Sequence, residues 1–410
     1  MSDTTPHGAH ATVDQGSRGS AIEVGAAFLK LGMSSFGGPI AHLGYFHREF
    51  VERRRWLDEE HFGQLLALCQ FLPGPASSQL GFSLGLLRAG WRGAIAAFIG
   101  FTLPSALLLF AFAAMSSYLA GPLGQSAVHG LKLVAVAVVA QGVLGMARTL
   151  TPDRNRALIA AAAAGLIAIS GSALMQLLVV VIGAALGPWL CRQVAAKRGE
   201  TFALHYGRRS GGVLLLIFGV LLATALLVAP GLPPLAQVAG AFYRAGALVF
   251  GGGHVVLPLL KQAVVDPGWV SSNTFLAGYG AAQAVPGPMF TLSAFLGDRL
   301  HDGQGGVLGA TVSLLAIFLP GLLLVAGALP FWRTLGNWDG AARMLAGVNA
   351  AVVGLLAAAL YDPVWVSAVH DAKDFAIALI AFTLLVAARW SALTAVAWCV
   401  AASVLRVVWG

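Results

Sequence analysis

Apolar stretches of about 20 residues, each long enough for a hydrocarbon core roughly 30 Å thick, recur from residue 22 to the end of the chain. Stretches 94–118, 174–190, 213–229 and 307–332 are examples. Polar residues gather in short turns between them and do not alternate within them, so the pattern predicts membrane helices and not barrel strands. Six helical elements are expected at 22–47, 61–88, 92–118, 127–149, 157–171 and 173–190, and six more at 236–262, 274–297, 306–332, 341–361, 372–388 and 390–409. The span 213–229 stands alone between the two sets. Residues 1–20 are polar, without the apolar core of a secretory leader, and are expected to form a disordered tail.

The two sets repeat one pattern. Phe28, Lys30, Gly32 and Phe36-Gly37-Gly38-Pro39 return 214 residues later as Phe242, Arg244, Gly246 and Phe250-Gly251-Gly252-Gly253. Trp56, Phe62, Gln70 and Pro73-Gly74-Pro75 return as Trp269, Phe275, Gln283 and Pro286-Gly287-Pro288. Phe101-Thr102-Leu103-Pro104 is echoed by Phe318-Leu319-Pro320. The chain therefore divides into a first repeat (21–191), a basic loop with a linker helix (192–230) and a second repeat (231–410), each repeat about 190 residues or less, near the size of one membrane unit. An even number of elements plus one extra crossing inverts the second copy. The expected fold is an all-α integral membrane protein with an inverted repeat.

Charge placement agrees. The net charge of +8 resides largely in short loops, where basic residues mark the cytoplasmic side, and it is no sign of nucleic-acid binding. With the basic 191–209 loop inside, Arg148, Arg154, Arg156, Arg333, Arg343 and Arg389 also fall inside, while the 119–127 and 362–371 turns fall outside. Arg48 and Arg53–Arg55 resist this scheme, because Arg88 and Arg92 follow one element later. If the first two elements of each copy are re-entrant hairpins broken at FGG and PGP, both groups become cytoplasmic, since Pro removes a backbone donor and Gly accepts unwound geometry. Thirteen full crossings remain the alternative.

Broken helices at membrane depth are tolerated where they are buried or line a cavity, and each break starts a helix whose free amides favour an anion. Ser78 and Thr291 align just after the two PGP turns, and Gln70 and Gln283 align before them. Lys30 and Arg244 each sit in an apolar stretch, six residues before an FGG, where a charge costs about 2.5–3.5 kcal/mol. They are expected to meet in a midplane cavity and neutralise one dianion. Lys132 lacks a basic counterpart, Ala346 standing in its place. Cys69, Cys191 and Cys399 have no metal-ligand spacing, the histidines have none either, and no Walker A sequence is present, so no metal, cofactor or ATP is implied. His42 and His254 are candidate proton carriers. Gly81-x-Ser83-x-Gly85 copies a nucleophile-elbow pattern but lies in membrane helix.

The stretch from Phe28 through FGGP, the segment 50–57 (FVERRRWL), the segment 68–75 (LCQFLPGP) and, in the second copy, 250–258 (FGGGHVVLP) and 278–288 (GYGAAQAVPGP) closely resemble the chromate ion transporter family in its long, two-domain form. The resemblance implies a carrier of the bacterial inner membrane that expels chromate, a structural mimic of sulfate, and so confers resistance. Sulfate or another tetrahedral oxyanion is the alternative substrate; lipid is the other expected partner, and a homo-oligomer is compatible with the sequence. Carried onto matching positions, the family's motif residues are Phe36–Pro39, Arg53–Trp56, Gln70 and Pro73–Pro75, with Phe250–Gly253, Gln283 and Pro286–Pro288. The second copy has no match for Arg53–Arg55 and carries Gly253 where the first has Pro39, so those arginines form no symmetric site.

Overall fold

The computed structural model describes residues 19–115, 121–170, 173–195, 202, 204–227, 234–250, 253–300 and 305–409. Residues 1–18 of the expected tail, Gly251 and Gly252 lie outside the described residues. Helix α1 (Ala21–Ser34) starts on Ser20, whose hydroxyl accepts the Glu23 amide at 3.0 Å. It stops before Gly37, which holds φ 100, and α2 (Gly38–His47) follows, ending in a π-helical turn at Arg48–Arg53. Next come α3 (Glu59–Phe71), capped by Asp58, and α4 (Ala76–Met115), with the PGP turn between them. α4 is itself broken at Ala89 and Gly90, the latter at φ 63.

These breaks produce the re-entrant hairpins. The Trp56 ring holds the Arg54 guanidinium at 5.6 Å and the Arg88 guanidinium at 5.5 Å, and its indole nitrogen donates to Glu23 at 3.2 Å. The start of α1, the end of the α2 segment and the end of the first half of α4 thus meet at one surface. Chain entering along α1 or α3 returns to the side it came from, and the two basic groups share a face. Arg53 and Arg54 also bind Glu49, which is 7% exposed, at 3.1 and 2.6 Å. They tie the loop down.

The second half of α4 then crosses, followed by α5 (Pro122–Leu150), α6 (Arg154–Ser170), α7 (Ala173–Leu190) and the linker α8 (Arg208–Leu226). The second copy repeats the order. α9 (Pro234–Ala247) breaks, and α10 (Val256–Leu260) follows between a 3-10 turn at Gly253–Val255 and a π turn at Lys261–Val265. α11 (Ser272–Ala284) leads to the second PGP turn and α12 (Leu292–Asp298). The crossings are α13 (Gly306–Ala328), continued by α14 (Trp332–Leu335), then α15 (Asp339–Ala359), and, after the short α16 (Val366–Ala368), α17 (Ala372–Val386) and α18 (Ala392–Trp409). Among the described residues, five of these spans are long and apolar enough to cross a bilayer by themselves; the outward faces of these and of the shorter helices α6 and α7 carry residues such as Leu107, Leu166, Val181, Leu216 and Leu308.

Tyr206, in the basic loop, shows the inversion. Its ring lies 5.3 Å from Trp91 at the start of α4's second half, while its hydroxyl donates to the Ala326 carbonyl at the end of α13. α4 and α13 are the aligned helices, so one begins where the other finishes. The copies also exchange partners: α5 packs on α17 and α18 of the second copy, and α15 packs on α6 and α7 of the first. Lipid gives helices no hydrophobic reason to associate, so close backbone approach replaces it. A Cβ on Gly183 would stand 2.6 Å from the Gly347 carbonyl, and one on Gly130 would stand 2.7 Å from that of Cys399. At the first hairpin, Phe28 stacks on Phe50 at 4.8 Å and Phe46 meets Phe101 edge-on at 5.1 Å, fastening α1 and α2 to α4.

A reporter inserted in the 119–127 turn is expected to read outside and one placed near Trp338 to read inside. Both on one face would eliminate the inverted arrangement.

Candidate functional site

The four helix breaks converge at the centre of the repeat. Gly74 of the first PGP turn donates its amide to the Val249 carbonyl of the second copy at 2.7 Å, and Gly287 of the second PGP turn donates to the Ser35 carbonyl of the first at 2.9 Å. Val249 and Ser35 occupy matching places, each just before an FGG, so the pair of bonds is reciprocal. Both glycines hold positive φ, 124 and 101. Each also abuts the proline-bearing helix of the opposite copy: a Cβ on Gly74 would stand 3.0 Å from the Cα of Gly321, and one on Gly287 would stand 2.9 Å from the Ser105 hydroxyl. Gly74, Pro75 and Pro286–Pro288 are buried, and Pro73 is half-buried.

Polar groups collect on the first-copy side of this crossing. The first bond of the new helix runs from the Gln79 amide to the Pro75 carbonyl at 2.9 Å, leaving the amides of Ala76, Ser77 and Ser78 outside the helical ladder. Ser77 and Ser78 are each 3% exposed, and the Ser78 hydroxyl has no partner among the described residues. Gln79 donates to the carbonyls of Pro73 at 2.9 Å and Gly321 at 3.0 Å, so it braces the turn against the other copy. His42 is fully buried, with Nε2 3.2 Å from the Ser35 carbonyl and Nδ1 3.4 Å from the Ser77 hydroxyl. The second copy is poorer. Thr291 spends its hydroxyl hydrogen on the Pro288 carbonyl at 2.7 Å, and Ser293 does the same toward Phe290 at 2.8 Å.

The expected meeting of Lys30 and Arg244 is not what the structure shows. Phe28 and Gly32, four residues apart, bury one face of α1 against α4; Lys30, two residues from each, is turned about 200° away and is exposed beside exposed Leu29 and Met33. Phe242 and Gly246 bury α9 against α13 in the same way. Arg244 accordingly leaves that face and donates to the Ala225 carbonyl at 3.1 Å, where the linker helix ends. The two cations align because both sit between two packing residues.

The other expected residues divide. The aligned glutamines differ: Gln283 is buried and donates to the Tyr279 carbonyl at 3.4 Å, whereas Gln70 is exposed. Phe36, Gly37, Gly38 and Pro39 form the first break, with Phe36 half-buried and Gly37 exposed; Phe250 is half-buried and Gly253 begins a 3-10 turn. Lys132 donates to Asn273 at 2.8 Å, and His254 bonds the Tyr279 hydroxyl at 2.9 Å. Ser35, Ser105 and Gly321 at the crossing were not singled out from sequence. Their signal was position, immediately before FGG or after the aligned prolines Pro104 and Pro320.

This architecture, an inverted repeat with broken helices crossing at its centre, defines a polytopic membrane carrier. Residues 22–188 and again 236–406 match the family described as chromate transporter, and the chain belongs to that family, one of transporters and not of enzymes. It is 31% identical over 384 residues to a probable chromate transport protein of Synechococcus elongatus, covering 86% of this chain and 87% of that one. Chromate transport proteins of Pseudomonas aeruginosa and Cupriavidus metallidurans are each 28% identical, over 84% and 81% of this chain and 81% and 80% of theirs. No solved structure matches the chain.

Replacing Gly74 or Gly287 by alanine is expected to cost on the order of 1–3 kcal/mol through the forced positive φ alone, and to abolish transport. Gly63→Ala, where an added Cβ meets nothing within 4 Å, is the control. Transport by both variants at the parental rate, in membranes with normal protein content, would show that the crossing is dispensable.

Proposed function

We propose that this protein is a secondary active transporter that carries chromate out of the cytoplasm. The observation that supports it is the crossing of two PGP turns at the centre of an inverted repeat, taken with relatives named for chromate transport. A helix start with free amides and two buried hydroxyls suits the oxygens of a tetrahedral anion. The residues assigned to this site are Pro73–Pro75, Ser77, Ser78 and Gln79, closed from the other side by Pro286–Pro288. The two halves, inverted about this point, rock to expose it to each face in turn.

Direction follows from charge. Moving one charge through 100 mV is worth roughly 2.3 kcal/mol, so a dianion leaving a negative interior gains about twice that. Such a gain sustains an outward gradient on the order of a thousandfold without ATP. In inverted vesicles, chromate accumulation is expected to collapse when an ionophore removes the membrane potential and the pH gradient is kept. An unchanged rate would refute potential-driven export. Accumulation of labelled sulfate in place of chromate would move the assignment to the other oxyanion.

A further inference from the structure

A dianion at the crossing poses a charge problem, because the expected cations are elsewhere. Lys30 is exposed on the outer side of α1, and Arg244 is spent on the end of α8. Among the described residues, the ionisable side chain hydrogen-bonded to the crossing is His42, fully buried. Its Nε2 approaches the same Ser35 carbonyl that receives the Gly287 amide, so it is joined to the second PGP turn through one oxygen. Its Nδ1 faces Ser77 in the first turn of the helix at the first PGP.

The partners fix the tautomer. A carbonyl only accepts, so Nε2 carries the hydrogen, and in the neutral ring Nδ1 is an acceptor. The Ser77 hydroxyl must then turn its hydrogen toward His42. Once the ring is protonated, Nδ1 donates instead, Ser77 becomes the acceptor, and its hydrogen is free to turn to an anion at the helix start. The unpartnered Ser78 hydroxyl, 3% exposed, lies at the next position of the same turn.

The geometry points to His42 as the proton-coupling residue of the site: we infer that the oxyanion binds together with one proton on His42, with Ser77 reversing its hydrogen bond between the two states. This rests on the proposed anion site. The proton offsets half the charge of a dianion where, among the described residues, no arginine or lysine is bonded to the crossing; carried out with the anion it halves the charge moved, so the outward gradient that the potential sustains falls to roughly the square root of that for a bare dianion. The groups facing His42 are the Ser35 carbonyl on the broken link, and the Ser77 hydroxyl and the Phe101 ring of α4 at 5.2 Å. Among the described residues no carboxylate or base pairs with it; on the adjoining π turn Glu49 is held by Arg53 and Arg54, while Glu52 of that turn and Glu59 at the start of α3 are held by His47. The matching position of the second copy is Val256. His254 bonds Tyr279 and packs against Gly142, neither of them a crossing residue.

The test is calorimetric titration of chromate into the purified full chain, at alkaline pH where chromate is the dianion, in buffers of different ionisation enthalpy. About one proton is expected to be taken up per chromate bound, and affinity is expected to rise by up to about tenfold per unit fall in pH while His42 titrates. His42→Gln keeps a donor for the Ser35 carbonyl and cannot titrate; it is expected to bind more weakly with no proton uptake, while His254→Gln keeps the uptake. Ser77→Ala, which leaves His42 in place, is expected to weaken binding and reduce the uptake. Chromate binding by the parent without proton uptake, or uptake undiminished in His42→Gln, overturns the inference and leaves the anion site standing. Absence of any chromate binding by the parent removes the anion site itself, and this coupling with it.

Discussion

The structure depends on two backbone hydrogen bonds, Gly74 to Val249 and Gly287 to Ser35. An unwound segment at membrane depth exposes amides and carbonyls that lipid cannot satisfy, at several kcal/mol each. Each copy breaks its own helices twice and then uses the opposite copy to satisfy a group that the break sets free. Neither half is complete alone. The positive φ of both glycines, the close packing of Gly74 on Gly321 and the brace from Gln79 to the Gly321 carbonyl all serve the same contact.

Symmetry of backbone does not extend to the side chains. The first PGP turn opens a helix with two buried serines and a histidine beside them. The second opens with Met289 and Phe290, and its one hydroxyl at the aligned position, that of Thr291, is occupied by a local carbonyl. Polar chemistry is therefore concentrated in one copy, while the other supplies the complementary wall.

Around this centre the helices are held by shape. Gly32 lies against Gly100, Gly183 against Gly347 and Gly246 against Ile317, and aromatic rings from α1, α2 and α4 fill the space left at the first break. Exchange of α5 and α15 between the copies ties the halves at their periphery as well as at the crossing. Charged groups act mainly at the ends: Asp374, 1% exposed, joins α17 to His129 of α5 at 2.8 Å and to Arg406 of α18 at 2.8 Å.

The sequence by itself determined the helical membrane class, the duplication, the helix breaks and the inversion, because each is local or additive. Hydrophobic length follows from bilayer thickness, breaks from Pro and Gly, and inversion from the single extra crossing between two even sets of elements. The re-entrant hairpins were one of two readings the sequence left open, suggested by the need to place Arg53–Arg55 and Arg88 on one side; the contacts of Trp56 with Arg54, Arg88 and Glu23 decide for them. What faced the centre was not. Lys30 and Arg244 matched in register, yet register along a helix says nothing of azimuth until the packed face is known, and here Phe28 and Gly32 claimed it. Ser35 and Gly321 became part of the site only because the opposite copy docks against them, more than 200 residues away in sequence for the Gln79 to Gly321 bond (|i−j| 242). Contacts of that kind arise from the meeting of two folded halves, and the tertiary structure alone decides them.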